Sequence, residues 1–421
     1  MLARGKSVAA VMQLLTVVVL ARALSPTYFG HIVLIQTYVL VVRELFDFKL
    51  FEAIVRFGIP MVEVNDETAF KRLLRLTLRV DFLTAITATV AAIVALPLTA
   101  KILGWDDTLI SITLLYSSVL LTSGSGTAKG VLRLYDRFDV LGLQLMVAPV
   151  LRVIGVLLVM WWKPDIWLFA VALTLATTAG NVYLIVRGWA EMRRQMGSFA
   201  LKEFSLVGWH KGAPGLWKFM TVVYWQANVD MLPKHVSTLL AGIYLGPEGA
   251  GFLRLAREIT KILSKPGEML QQVLFPDLVR MWHHRSAAFG SMLRRALLIS
   301  AAFGLFFTAL SISGGAFLLT NTLSMDYALA APLLSWLMLA ATIELLAGAL
   351  RAAGYAMGHA GKILWLHLAS SVLYIVLFVV LTPYTGLIGP GLAACIAALV
   401  PLGGMTLLTL KKIRRKHSVP S

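Results

Sequence analysis

Leu24-Ser25-Pro26-Thr27-Tyr28-Phe29-Gly30 returns 221 residues later as Leu245-Gly246-Pro247-Glu248-Gly249-Ala250-Gly251. Both stretches read L-[SG]-P-x-x-[FA]-G. A second pair follows at nearly the same offset, 218 residues: Gly130-Val131-Leu132-Arg133 and Gly348-Ala349-Leu350-Arg351. Two matches in one order at near-equal offsets predict a duplicated chain, with residues 1–204 as one half and 205–421 as the other. In each L-[SG]-P motif the proline pre-sets a turn and the glycine lets helices approach closely.

The motifs lie among long apolar runs. Hydrophobic residues make up 58% of the 421-residue chain and charged residues 14%, with a mean hydropathy of +0.80. Soluble domains average about 25% charged residues, so a soluble enzyme, a disordered tail and a nucleic-acid-binding domain are all excluded. A spanning helix needs about 20 apolar residues. Twelve such runs are legible, at about 7–25, 29–47, 80–99, 109–128, 139–162, 166–187, 217–245, 250–275, 296–319, 328–350, 362–382 and 387–410. The expected fold is therefore an all-α polytopic membrane protein. Its twelve helices form two six-helix lobes, TM1–TM6 and TM7–TM12. Six is even, so the repeats share one orientation and are related by an axis along the membrane normal. The eighth run carries Arg254, Arg257, Lys261 and Lys265 at helical spacing, and needs a protein-facing or water-facing side to hold them.

Orientation follows from the basic residues. With the N-terminus inside, the inside segments hold 32 of the 38 Lys and Arg, and the outside loops only Arg22, Lys101 and Lys163. That asymmetry predicts both termini in the cytoplasm and assigns most of the +17 net charge to topology and anionic-lipid contact. The first run, with Arg4 and Lys6 before it and Ala21-Arg22-Ala23 after it, mimics a signal peptide, but its continuation into the repeated motif argues against cleavage. Cys395 is the single cysteine, so an intrachain disulfide is excluded and a packing role expected.

Leu20-Ala21-Arg22-Ala23-Leu24-Ser25-Pro26-Thr27-Tyr28-Phe29-Gly30 resembles the opening of bacterial polysaccharide-biosynthesis transporters. These are the lipid-linked oligosaccharide flippases of the multidrug/oligosaccharidyl-lipid/polysaccharide exporter superfamily. Ala53-Ile54-Val55-Arg56-Phe57-Gly58, Leu132-Arg133-Leu134-Tyr135-Asp136-Arg137-Phe138-Asp139, the stretch from Leu245 to Ala256 and Phe275-Pro276 resemble further segments of that family. The resemblance implies a carrier, not an enzyme, in the bacterial cytoplasmic membrane. Its cargo would be an oligosaccharide on a polyprenyl diphosphate, moved by alternating access through a central polar cavity for O-antigen, capsule or exopolysaccharide assembly. It implies no bound cofactor, with H+ or Na+ coupling open. The expected partners are the lipid-linked oligosaccharide, membrane lipids and polysaccharide assembly proteins; no nucleic acid is expected, and the chain is expected to be a monomer.

An ionisable group at mid-bilayer costs about 2.5–3.5 kcal/mol on insertion scales, so it faces a cavity or a partner. Arg152, near the middle of the fifth span, is the first candidate for a diphosphate contact, because guanidinium offers phosphate a bidentate fork. Pairing with a carboxylate such as Glu344 is its structural alternative. Arg43 and Arg56 are candidates at the inner side, against snorkelling and anchoring. The seventh span has a polar centre: Asn228 and Lys234 are candidate substrate contacts, Asp230 and His235 candidate coupling-ion sites, and Pro233 a source of a kink. Asp230 and Lys234 can also neutralise each other one turn apart. Glu344 and Asp81 complete the coupling-ion candidates. Arg133 and Arg351 occupy equivalent repeat positions and are read as interfacial anchors. No metal site is expected: His283-His284 and Asp106-Asp107 stand without further ligands.

Two other readings compete. A cation-coupled drug exporter of the same superfamily would favour carboxylates and aromatics over arginine. An integral-membrane polysaccharide polymerase or ligase would need a sizeable outside loop, and the longest here is about ten residues.

Overall fold

The computed structural model describes the backbone of residues 2–197, 214–284 and 288–417, and their side chains except at 2–4, 229–233, 262, 264–274 and 412–417. Thirteen α-helices and a few 3-10 turns make up the secondary structure of the described residues. In order they are α1 (Leu2–Ala23), α2 (Pro26–Phe46), α3 (Leu50–Glu63), α4 (Glu67–Leu103), α5 (Asp107–Ser117), α6 (Gly126–Leu134), α7 (Phe138–Trp162), α8 (Ile166–Met196), α9 (Leu216–His283), α10 (Ala288–Thr322), α11 (Ala331–Ala356), α12 (Ala360–Thr385) and α13 (Gly389–His417). Eleven of the twelve expected spans fall on helix, and the fourth, 109–128, is interrupted.

Local chemistry sets the helix ends. Ser25 is extended (φ −63°, ψ 156°), as a residue before proline must be, and its Oγ accepts from the Tyr28 amide as the cap of α2. Asp66, Asp106 and Asp165 cap α4, α5 and α8 in the same way, with carboxylate-to-amide distances of 2.9, 2.8 and 2.8 Å. The Asp106-Asp107 pair thus begins a helix. At the second copy of the motif, Gly246 takes φ 72° and ψ −179° inside α9 and separates the seventh span from the eighth. A side chain would be strained in that conformation. Trp161 and Trp162, 88% and 84% exposed at the end of α7, fit the interfacial belt expected there.

The chain divides into two compact units, Met1–His235 and Val236–Ser421. In the first, α7 packs between α1 and α8, while α8 also touches α5 and α6. Helix α3 lies against α6 and α4, closing a core of Leu50, Ala53, Ile54, Phe70, Leu74, Val131 and Met192. In the second, α11 packs on α10 and α13, and α12 on α13. Ninth-to-tenth, tenth-to-twelfth and eleventh-to-twelfth span contacts in the second unit therefore repeat the third-to-fourth, fourth-to-sixth and fifth-to-sixth contacts of the first. Helix α4 is 37 residues long, about 55 Å at 1.5 Å per residue, which exceeds a hydrocarbon core of about 30 Å. Its first turns carry Lys71, Arg72 and Arg75.

Candidate functional site at the interrupted fourth span

The apolar run 109–128 reads as one uninterrupted helix, and the structure departs from that. Helix α5 ends at Ser117, a 3-10 turn covers Ser118–Thr122, residues 123–125 are non-helical, and α6 starts at Gly126. The cause is local. Ser117, Ser118, Thr122 and Ser123 turn their hydroxyls onto the carbonyls of Thr113, Leu115, Val119 and Leu120, competing with the helix ladder. Gly124 and Gly126 then remove the steric preference for helix. A Cβ on Gly124 would lie 2.5 Å from the Asp81 carbonyl oxygen, so α4 and the break approach as closely as backbone allows.

Free backbone amides inside a membrane need acceptors. Asp81, buried on α4, supplies them. Its Oδ1 accepts from the Gly126 amide at 3.1 Å and its Oδ2 from the Thr127 amide at 2.7 Å. The carboxylate sits at the positive end of α6, where helix dipole and hydrogen bonds both favour its charge. Sequence reading lists Asp81 among coupling-ion candidates; its role as the cap of a broken helix depends on a partner 45 residues away.

A small, partly open pocket of ≈ 20 Å³ lies beside the break, lined by Arg43, Asp47, Asp81, Thr84, Ser123 and Gly124, with Phe46, Phe48, Leu50 and Ala88 as its apolar wall. Lys49, between α2 and α3, is held in a left-handed conformation (φ 50°). Its ammonium reaches Glu44 at 2.8 Å and Asp47 at 2.7 Å, so one cation engages both carboxylates. Arg43 makes no ion pair among the described residues. The pocket therefore combines the Arg43 guanidinium with the Asp47 and Asp81 carboxylates, hydroxyls and backbone polar groups beside an apolar wall.

Arg43 and Asp81 are the two sequence candidates that the fold brings to one pocket. Arg152 is elsewhere, on the α7 face turned to α8. Its Nη2 donates to Thr177 Oγ1 at 2.9 Å, while its Nε is buried without a partner among the described residues. Arg56 is exposed, with its guanidinium 4.5 Å from the centre of the Phe219 ring. Asn228 is buried and donates to the Tyr224 carbonyl at 2.9 Å. Lys234 is exposed, His235 is half-buried, and both are engaged. The Asp230 side chain lies outside the described residues. Glu344 is exposed on α11, within the electrostatic reach of Arg351.

In the second unit three of the eighth span's four charges, Arg254, Arg257 and Lys261, find protein partners, and the Lys265 side chain lies outside the described residues. Buried Glu258 pairs with Arg254 at 3.1 Å and Lys261 at 2.7 Å. Arg257 donates to Ser237 at 2.7 Å, Thr238 at 3.0 Å and the Tyr374 hydroxyl at 2.6 Å. Ser237, Thr238 and Tyr374 escape a sequence reading built on charge, because neutral hydroxyls carry no signal in an apolar run. Among the described residues no group of three His, Cys, Asp or Glu is placed to hold a metal ion. Cys395 is buried, its Sγ 3.2 Å from the Trp336 carbonyl oxygen.

Comparison with known proteins agrees with this architecture. The chain is 27% identical over 283 residues to the inner membrane protein YghQ of Escherichia coli K12, covering 65% of this chain and 77% of that one. Its fold is similar to an inward-facing multidrug resistance MATE transporter of the MOP superfamily, with a TM-score of 0.72 at 14% identity over 100% of this chain and 99% of that one. It is also similar to the inward closed conformation of the lipid II flippase MurJ, with a TM-score of 0.75 at 14% identity over 97% and 87%. Residues 1–282 match the family described as polysaccharide biosynthesis protein. The chain belongs to this family of polysaccharide biosynthesis proteins, and its all-helical, multi-pass membrane fold is that of MOP-superfamily transporters.

Proposed function

We propose that the protein flips a polyprenyl-diphosphate-linked oligosaccharide across the cytoplasmic membrane by alternating access of two six-helix lobes, for surface polysaccharide assembly. The observation that carries this reading is Arg43, a guanidinium without an ion pair among the described residues, lining a polar pocket at a broken membrane helix. Stripping water from a diphosphate is costly, and a fixed guanidinium with hydroxyls and backbone groups replaces that water. Interrupted helices are where carriers place such polar backbone. The half-satisfied Arg152 is a second cargo contact, and Arg56, Asn228 and Lys234 complete the set carried from the sequence. Coupling to H+ or Na+ runs through Asp81, Glu344, Asp230 or His235. The lipid-linked substrate of MurJ supports the cargo class by analogy. MATE transporters share the fold, and the Asp47 and Asp81 carboxylates with Phe46 and Phe48 in the same pocket fit their alternative; Arg43 is what favours an anionic cargo.

The test is a flip assay in liposomes with a polyprenyl-diphosphate oligosaccharide and a membrane-impermeant probe of its headgroup. Wild type, Arg43→Ala, Arg43→Lys and Arg152→Ala are compared at equal folded amounts. The expected result is protein-dependent flipping that Arg43→Ala abolishes and Arg43→Lys partly restores. Folded wild type that moves no glycan across a panel of lipids and ion gradients returns the chain to the drug-exporter reading. Flipping that survives Arg43→Ala removes the pocket from the cargo path, and loss in Arg152→Ala alone moves that path to α7.

A further inference from the structure

Helix α6 begins at the Asp81 cap and runs toward the Lys/Arg-rich end of the first unit. Lys129 and Arg133 are four residues apart on it, so they share one face a single turn apart. Two like charges so placed repel each other. Neither makes an ion pair among the described residues, and both are exposed, so solvent weakens their repulsion and leaves both cations open to an anion. Both lie over one ring, with Lys129 Nζ 4.3 Å and the Arg133 guanidinium 5.9 Å from the centre of Phe51 on α3.

Close packing holds that ring in place. A Cβ on Gly130 would lie 2.8 Å from the Ile54 side chain, and one on Gly58 2.8 Å from the Leu134 side chain, so each helix seats a side chain of the other on a glycine. Lys129 is also within electrostatic reach of Arg43, Lys49 and Asp47. Glu44 and Asp47 are both engaged by Lys49, which leaves three cations, Arg43, Lys129 and Arg133, without a carboxylate of their own. A lysine that merely anchored a helix would extend into the headgroup layer. Here the ammonium is folded back onto an aromatic face, which orders it while leaving its N–H groups free for an oxygen ligand. The segment 129–139 is one of those assigned to the cytoplasmic side by its basic residues, so the shelf lies where lipid headgroups are.

We propose that Lys129 and Arg133, held over Phe51 with Arg43 nearby, form a binding site for a lipid phosphate at the cytoplasmic end of the first unit. Several oxygens of one phosphate can accept from the ammonium and the guanidinium together, which converts the repulsion between them into shared attraction. Two sources carry that chemistry: the diphosphate of a polyprenyl-linked cargo and the headgroup of an anionic phospholipid. Only the diphosphate source rests on the flippase reading.

The experiment measures lipid binding to the full-length protein in neutral detergent by native mass spectrometry, with undecaprenyl diphosphate in one arm and phosphatidylglycerol in the other. Lys129→Met/Arg133→Met keeps the apolar stems and removes both charges. Lys129→Arg/Arg133→Lys keeps the charges. The expected result for at least one lipid is a Kd about ten- to a hundredfold weaker in the first variant, in line with loss of charge-assisted hydrogen bonds, and within about threefold of wild type in the second. Phe51→Leu, which keeps the charges and removes the ring, weakens binding less than the double Met variant. Should the double Met variant fail to fold, Lys129→Met alone carries the same comparison. A diphosphate-specific loss assigns the site to the cargo. A phosphatidylglycerol-specific loss assigns it to the bilayer and keeps the site, and wild type that ignores undecaprenyl diphosphate counts against the flippase reading alone. Unchanged binding of both lipids in the Met variant overturns the site, whatever the flip assay shows.

Discussion

Replacing Asp81 tests whether the carboxylate holds the interrupted fourth span together. It accepts from two amides of α6, at 3.1 Å from Gly126 and 2.7 Å from Thr127. A hydrogen bond to a charged group contributes about 1.5–3 kcal/mol. Thr127 is wholly buried, so its amide loses its partner outright in Asp81→Ala, at about 2 kcal/mol. Gly126 is only half-buried beside the open pocket, where water can replace the lost acceptor, so its share is about 1 kcal/mol. The expected destabilisation is about 3 kcal/mol for Asp81→Ala. Asp81→Asn keeps one oxygen acceptor and loses the charge, and is expected to cost about half as much. Equilibrium unfolding in mixed micelles measures both values. Hydrogen exchange of a peptide covering 126–132 localises them, since amides released from the cap exchange faster while those of α7 do not. An Asp81→Ala protein within 0.5 kcal/mol of wild type, an interval on the order of ordinary surface substitutions, and with unchanged exchange over 126–132, would refute the capping argument.

Three further predictions concern other places in the fold. Gly246→Ala forces a side chain onto φ 72°, ψ −179° and is expected to cost about 1–3 kcal/mol, whereas Ser25→Ala at the equivalent motif position loses a 3.4 Å cap bond and costs under about 1 kcal/mol; micellar unfolding of the two variants compares them. Gly130→Ala drives a Cβ to 2.8 Å from Ile54 and is expected to destabilise by about 1–3 kcal/mol, with altered fluorescence of a probe placed on α3 as the local readout. Glu258→Gln removes the charge between Arg254 and Lys261, both partly exposed, so the loss is expected to be about 1 kcal/mol and to shrink in high salt.

The amino-acid sequence by itself determined the class of molecule, an all-helical membrane protein of many spans. A bilayer leaves a helix few alternatives: about 20 apolar residues must satisfy their own backbone, so each run from 7–25 to 387–410 announces its helix. The break between the seventh and eighth spans was equally legible, because Gly246-Pro247 is a local conformational constraint. The demand of Arg254, Arg257 and Lys261 for a protein-facing or water-facing side also followed from charge alone. Tertiary structure decided the rest. Ser123-Gly124-Ser125-Gly126 is a turn signal submerged in a long apolar run, and the break it allows is held by Asp81, which arrives from another helix to accept the freed amides. It also decided that Arg257 is covered by three hydroxyls, that Arg152 is met by Thr177, and that Lys129 and Arg133 share the ring of Phe51. Spacing along one helix shows which residues share its face. It carries no information about which neighbouring helix that face meets, and the chemistry of this protein lies in those meetings.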